Sequence, residues 1–220
     1  MIKKKVGLAI MLIFCSALMA QAQTNVMDPE IEKRAGEFTA ALNLNDAAKE
    51  ARVKTVIATH LNTIRNWHNE HLPSTVPEGI NPVTGNKLNE LERSIIADSA
   101  MPATVHQNLM DGLSKELTAE QVETVLDQYT IGKVAFTMKG YKAIVPDLTA
   151  DEEAKILSFL KQAREQAVDY KNMKQISAIF EIYKTKSEQF LNGNGRSWRA
   201  LYSAYTKKIK EEKAAQQKKQ

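Results

Sequence analysis

One cysteine in 220 residues excludes a disulfide scaffold and any cysteine-rich zinc site. Six prolines and nine glycines are few and unevenly spread, which speaks against a strand-rich sandwich and for long helices. Aromatic residues make up only 6%, a thin supply for the tryptophan- and tyrosine-rimmed clefts of polysaccharide enzymes. The chain also lacks a phosphate-cradling glycine loop, a nucleophile elbow and a metalloprotease helix motif. What remains is 43% hydrophobic and 25% charged, the composition of an ordinary folded protein with ample material for a core.

The first segment has the pattern of an export signal. Lys3, Lys4 and Lys5 open it, Val6 to Leu18 form a short apolar run, and Ala20-Gln21-Ala22 is a small-x-small cleavage site. The run is too short for a permanent membrane anchor, and bulky Phe14 before Cys15 disfavours lipid attachment. Residues 1–22 therefore read as a signal peptide, which implies a periplasmic or secreted protein. Cleavage there changes the charge argument. The net charge of +4 includes the three lysines of the first segment, and Thr206 to Gln220 holds six lysines against two glutamates. The body from Gln23 to Tyr205 is left with 21 basic and 24 acidic residues, so the high isoelectric point is no argument for nucleic acid.

Helical periodicity dominates the rest. Pro29 opens a helix through Ile31, Ala35 and Phe38; a second, capped near Asp46, carries Val53, Val56, Ile57, Ile64 and Trp67 on one face and stops at Pro73. Pro73, Pro77, Gly79, Pro82 and Gly85 mark a loop over 73–86. Further helices are predicted over about 87–99, from Pro102 through Leu113, and after two similar starts. Thr118 with Gln121 and Thr149 with Glu152 each form a capping box, and Leu117 can close over the first against Val122. Thr130 to Lys139 alternates Ile131, Lys133, Val134, Phe136 and Met138, and reads as an extended crossing segment. Helices over about 150–169, 174–191 and 196–212 follow, the last two parted by Asn192-Gly193-Asn194-Gly195. The expectation is an all-α bundle of about seven helices with one extended crossover near 130–139, a single domain over 23–212, and a disordered lysine-rich tail over 213–220.

Four constellations bear on function. His60, Trp67, His68 and His71 share one helix; His60 and His71 lie about 16 Å apart along its axis, too far for one ion, while His68 and His71 are three residues apart. Satisfied histidines at the core edge account for them as well. Lys139-Gly140-Tyr141 offers a glycine where a ligand can approach backbone and a tyrosine to stack on it, or simply a tight turn. Glu165 and Asp169 share a helix face, as the paired carboxylates of glycoside hydrolysis do, and as solvated surface acids do. Trp198, Tyr202 and Tyr205 fall on one face, either docking their helix or forming a platform for sugar or peptide.

An ordered set of residues resembles a known family. Leu113 through Val122, Phe136-Thr137-Met138-Lys139-Gly140-Tyr141, Pro146-Asp147-Leu148-Thr149 and Ala163-Arg164-Glu165-Gln166-Ala167-Val168-Asp169 look like the exported Bacteroidetes proteins of domain-of-unknown-function family thirty-eight twenty-six. That resemblance implies export, helices and an association with polysaccharide-degradation genes, pectin loci among them; it brings no catalytic residues. The 73–86 loop and Tyr170-Lys171-Asn172-Met173 depart from the family pattern. Leu117-Thr118-Ala119-Glu120-Gln121 also resembles the caps of Spy-like periplasmic chaperones. The reading is an exported binding or accessory protein, leaning away from catalysis and with no cofactor or metal. Its partner is an oligosaccharide or an unfolded protein client. A Spy-like holdase and a polysaccharide-acting hydrolase are the alternatives. Candidate ligand-binding residues are Lys139, Gly140, Tyr141, Arg164, Trp67, His68 and His71.

Overall fold

The computed structural model describes residues 27–217. The expected signal peptide and the last three residues lie outside that range. Nine α-helices follow one another among the described residues: α1 (Pro29–Ala40), α2 (Ala47–Glu70), α3 (Glu90–Ser99), α4 (Ala103–Glu116), α5 (Ala119–Tyr129), α6 (Lys133–Ile144), α7 (Ala150–Ala167), α8 (Met173–Gly193) and α9 (Trp198–Gln217). The expected all-α bundle is what forms. No helix in this range is long and apolar enough to cross a membrane.

Local chemistry sets most of the helix starts. Asp28 and Asp46 cap α1 and α2, each accepting a backbone N–H of the first turn. Both predicted capping boxes are complete: Thr118 and Gln121 at α5, Thr149 and Glu152 at α7. Leu117 and Val122 are both buried in one apolar cluster, as a staple requires. Because these boxes complete two helix starts, helix physics alone accounts for the leucine-threonine motifs. A third box, Asn89 with Glu92, starts α3 three residues later than the expected Lys87, since it fixes Glu90 as the first helical residue. The 73–86 loop contains one 3₁₀ turn at Pro73–Thr75 and a single bridge between Ile80 and Lys87.

The extended crossover near 130–139 does not exist. Residues 130–132 form a tight turn in which Ile131 and Gly132 take positive φ of 52° and 62°, and α6 begins at Lys133. The alternation misled because two of its apolar members face solvent. Ile131 is 69% and Phe136 78% exposed, while Val134, Met138 and Tyr141, at i, i+4 and i+7, make the buried stripe of a helix. The tail expectation also needs correction: residues 213–217 continue α9.

Two apolar cores organise the bundle. The first gathers Phe38 of α1, Ile57 and Leu61 of α2, Leu109 and Leu113 of α4, and Val125 and Tyr129 of α5. The second gathers Val134 and Tyr141 of α6, Ile156 and Leu160 of α7, and Ile179 and Phe180 of α8, with Trp198 and Leu201 of α9 packed against it. Helices α2 and α4 approach so closely at Gly112 that a Cβ there would stand 2.8 Å from a Val56 methyl. Polar side chains stitch one core to the other, and α9 rests only on the second.

Candidate functional site

The sequence singled out the segment at Lys139–Tyr141 and the aromatic face of Trp198, Tyr202 and Tyr205 separately. The fold brings them together. Helices α6, α8 and α9 enclose an open groove of about 660 Å³, lined on one side by Gly140 and Tyr141 and on the other by Trp198, Tyr202 and Tyr205. The rings form a row: Tyr141 and Trp198 have centroids 5.2 Å apart, and Trp198 and Tyr202 lie 6.0 Å apart at an interplanar angle of 26°. Tyr202 is half exposed and Phe136, also on the lining, is largely exposed.

Each member is positioned by identifiable contacts. Tyr141 is buried, its hydroxyl donates to the Lys184 carbonyl at 3.1 Å, and burial raises its pKa above the ordinary phenol value. The Trp198 backbone N–H donates to Asn192 Oδ1 at 2.9 Å, fixing the start of α9 over the end of α8. Arg196 secures the same corner, with Nε and a terminal nitrogen donating to the two Glu152 oxygens at 2.7 and 2.8 Å. That guanidinium and the Thr149 N–H hold the Glu152 carboxyl down at about 2. Gly140 lies inside α6, not in the turn that was the simpler expectation. A Cβ built on it meets nothing within 4 Å, so packing does not demand a glycine there. A mid-helix glycine costs about 1 kcal/mol relative to alanine, and what its absent side chain leaves free is groove.

The groove's polar lining is charged. Glu181, Lys184 and Glu188 project from α8, with the Lys184 ammonium 2.9 and 3.0 Å from the Glu181 carboxylate oxygens. Lys133 and Lys139 come from α6, and neither forms an ion pair among the described residues. Lys133 sits 5.7 Å from the Phe180 ring centre. An aromatic row beside free cations and carboxylates suits a ligand with apolar faces and a polar, anionic rim.

The remaining sequence candidates lie elsewhere. Trp67 donates to the Ala97 carbonyl at 3.2 Å and stacks on His71 at 3.7 Å. His71 Nδ1 donates to the Trp67 carbonyl, and His68 Nδ1 to Asp98 at 2.7 Å. The two histidines are thus turned to different partners, and no group of three His, Cys, Asp or Glu among the described residues is arranged for a metal ion. Arg164, 2% exposed, donates to Asp127 at 2.7 Å and pairs with Glu123 at 2.8 Å, tying α7 to α5. It joins the cores and does not line the groove.

Sequence reasoning missed His106. Its Nδ1 donates to Asp169 Oδ2 at 2.8 Å, while His60 Nε2 donates to the other carboxylate oxygen at 3.0 Å and His60 Nδ1 accepts from the Tyr129 hydroxyl at 3.1 Å. Asp169 thereby bridges α2 and α4 to the turn after α7. The Asp169 hydrogen bond raises the His106 pKa. Burial opposes ionisation of Asp169, but the hydrogen bonds from His106 and His60 outweigh it and the carboxyl is lowered. Nothing local marks His106, because its partner stands 63 residues away.

A family model described as "Protein of unknown function (DUF3826)" matches residues 29–211, nearly the whole described range. No curated protein matches the chain.

Proposed function

Given that the chain belongs to the DUF3826 family, we propose that it is an exported glycan-binding protein whose site is the α6–α8–α9 groove, and that its ligand carries uronic acids. The observation that carries the reading is the accessible pair Trp198 and Tyr202, backed by the buried Tyr141 ring, beside the free cations Lys133 and Lys139. Sugar rings present C–H faces that stack on aromatic side chains, and their hydroxyls find partners in Glu181, Lys184 and Glu188. A uronate carboxylate adds the charge that two unpaired ammonium groups attract. The groove's volume lies within the range of small-ligand sites. The export signal and the resemblance to proteins of polysaccharide-degradation loci support the same reading.

Calorimetry and thermal shift with oligogalacturonates and with neutral oligosaccharides of equal length test it. At a hundred times its dissociation constant a ligand adds about 2.7 kcal/mol, a rise of roughly 5–11 °C for a chain of this size. The acidic oligosaccharide is expected to give that rise and the neutral one a smaller shift. Gly140→Phe fills the groove from a helix that tolerates the change, and is expected to abolish the shift while leaving the unliganded Tm near its parent value. Binding that survives both Gly140→Phe and Trp198→Ala overturns the assignment of the site.

A further inference from the structure

A second cavity, of about 170 Å³, lies beside the Asp169 bridge and shares no residue with the groove. The end of α3, the short connection to α4, the start of α4 and the turn after α7 enclose it. Asp98, His106, Asp169 and Tyr170 bring polar groups to its wall, and Met101 and Pro102 give it an apolar side. No lysine or arginine lines it. Burial raises the Tyr170 phenol above its ordinary pKa against the pull of a hydrogen bond with Gln166, and the charges of both Asp98 and Asp169 add to the rise. Two carboxylates therefore act on one hydroxyl at the edge of this space.

Asp98 is the member whose own bonding is incomplete. It is 4% exposed, and both of its hydrogen bonds fall on one oxygen. Oδ2 accepts from His68 Nδ1 at 2.7 Å and from Gln175 Nε2 at 2.5 Å. Oδ1 is shielded from solvent and has no hydrogen-bond partner. The donors to Oδ2 come from α2 and α8, so Oδ1 is the oxygen left to the cavity that Asp98 helps to wall. A buried carboxylate is costly unless its charge is paired and its oxygens are hydrogen-bonded. Asp169, by contrast, accepts one histidine on each oxygen and keeps a second lone pair on both.

We propose that this cavity is a binding site for a primary ammonium group, carried by an alkylamine or an amino sugar. A primary ammonium brings three N–H donors, no acceptor and one positive charge. Asp98 Oδ1, an Asp169 oxygen and the Tyr170 hydroxyl oxygen are the acceptors that answer those donors. The positive charge offsets that of Asp98, which the neutral Gln175 amide leaves standing. A neutral hydroxyl supplies one donor and no charge. A metal ion is a poorer occupant, because no three His, Cys, Asp or Glu among the described residues converge for one. The volume is well beyond that of a single water. It takes the nitrogen and its neighbouring carbons against Met101 and Pro102, with the rest of the ligand leaving past exposed Ala103. The site is independent of the glycan reading of the groove.

Calorimetry on the purified chain at neutral pH tests it, with n-butylammonium chloride and galactosamine as probes of the two sources. The controls are n-butanol, galactose and tetramethylammonium chloride, the last a cation without an N–H. Saturable binding of at least one ammonium probe is expected, and none of the three controls. Asp98→Asn keeps the shape and removes the charge, and is expected to weaken binding by about tenfold or more, the worth of one charge-assisted hydrogen bond. Ala103→Trp closes the mouth from an exposed helix start without touching Asp98. It is expected to weaken binding to the same degree while Tm stays near the parent value. Gly140→Phe, in the groove, is expected to leave ammonium binding unchanged. Absence of saturable binding by both ammonium probes overturns the proposal, as does parent affinity in both Asp98→Asn and Ala103→Trp. Equal binding of tetramethylammonium or n-butanol refutes the ammonium N–H as the recognised group.

Discussion

Asp169→Asn isolates the bridge between the two cores. The parent carboxylate accepts from His106 Nδ1 at 2.8 Å and from His60 Nε2 at 3.0 Å, and its side chain is about one-fifth exposed, so solvent screens it little. An amide of the same shape keeps the volume but removes the charge, and it offers one acceptor where there were two. Hydrogen bonds to a charged group contribute about 1.5–3 kcal/mol and neutral ones about 0.5–1.5 kcal/mol, so two weakened bonds cost about 2–3 kcal/mol. For a chain of this length that lowers Tm by roughly 4–12 °C. The pH dependence is more telling. His106 is raised by Asp169, so its contribution is complete below the ordinary histidine value of 6.5 and is lost as pH climbs through the higher folded value. Asp169 is lowered, so its contribution is complete above the ordinary 3.8 and is lost as pH falls through the lower folded value. The parent's advantage over Asp169→Asn should therefore be greatest between about pH 4 and 6.5 and shrink on both sides. Urea titrations from pH 3 to 9 measure it. A difference below about 0.5 kcal/mol, or one constant across that range, would falsify the claim that this charge network joins the cores.

Three further outcomes follow from other joints. Ile131 holds φ at 52° with its side chain mostly in solvent, and a left-handed β-branched residue costs about 1–2 kcal/mol. Ile131→Gly should stabilise by about 0.5–1 kcal/mol in chemical denaturation, and a loss of stability would show that the turn is not strained. Gly112→Ala places a methyl 2.8 Å from Val56 Cγ1; overpacking of this kind costs about 1–3 kcal/mol, and Val56→Ala in the same chain should recover part of it. Additive losses in that pair would mean the clash is relieved elsewhere. With Glu152 held at about 2, its latch to Arg196 should persist to about pH 3 and open as pH drops through 2. Glu152→Gln should open it at neutral pH, seen as faster amide exchange along α9 and altered Trp198 fluorescence. Unchanged exchange would mean that Asn192 and the packing of Trp198 and Leu201 dock the helix without the latch.

The helices and their starts were legible because they obey local rules. A proline after Asp28, the boxes at Thr118 and Thr149, and the glycines at the end of α8 each act within a few residues, and the apolar stripes need only a 3.6-residue period. The segment over 130–139 was misread for a reason of the same scale: exposed Ile131 and Phe136 counterfeit an alternating strand, and period alone cannot say which apolar residues face water. The aromatic and lysine-glycine-tyrosine segments were both visible as candidates, though not as one site, because about 57 residues separate Tyr141 from Trp198.

By itself, then, the sequence determined an all-α chain, its capped helices, and the residue types available for binding. Tertiary structure alone decided which of those residues meet. It placed Tyr141 against Trp198 and Lys184 between two glutamates at the same groove, turned Arg164 inward to Asp127 and Glu123, and made Asp169 the acceptor for two histidines from different helices. Capping and amphipathic period are short-range properties written in neighbouring residues. A site assembled from three helices depends on how buried faces pack, and that is fixed by the burial free energy of the whole chain.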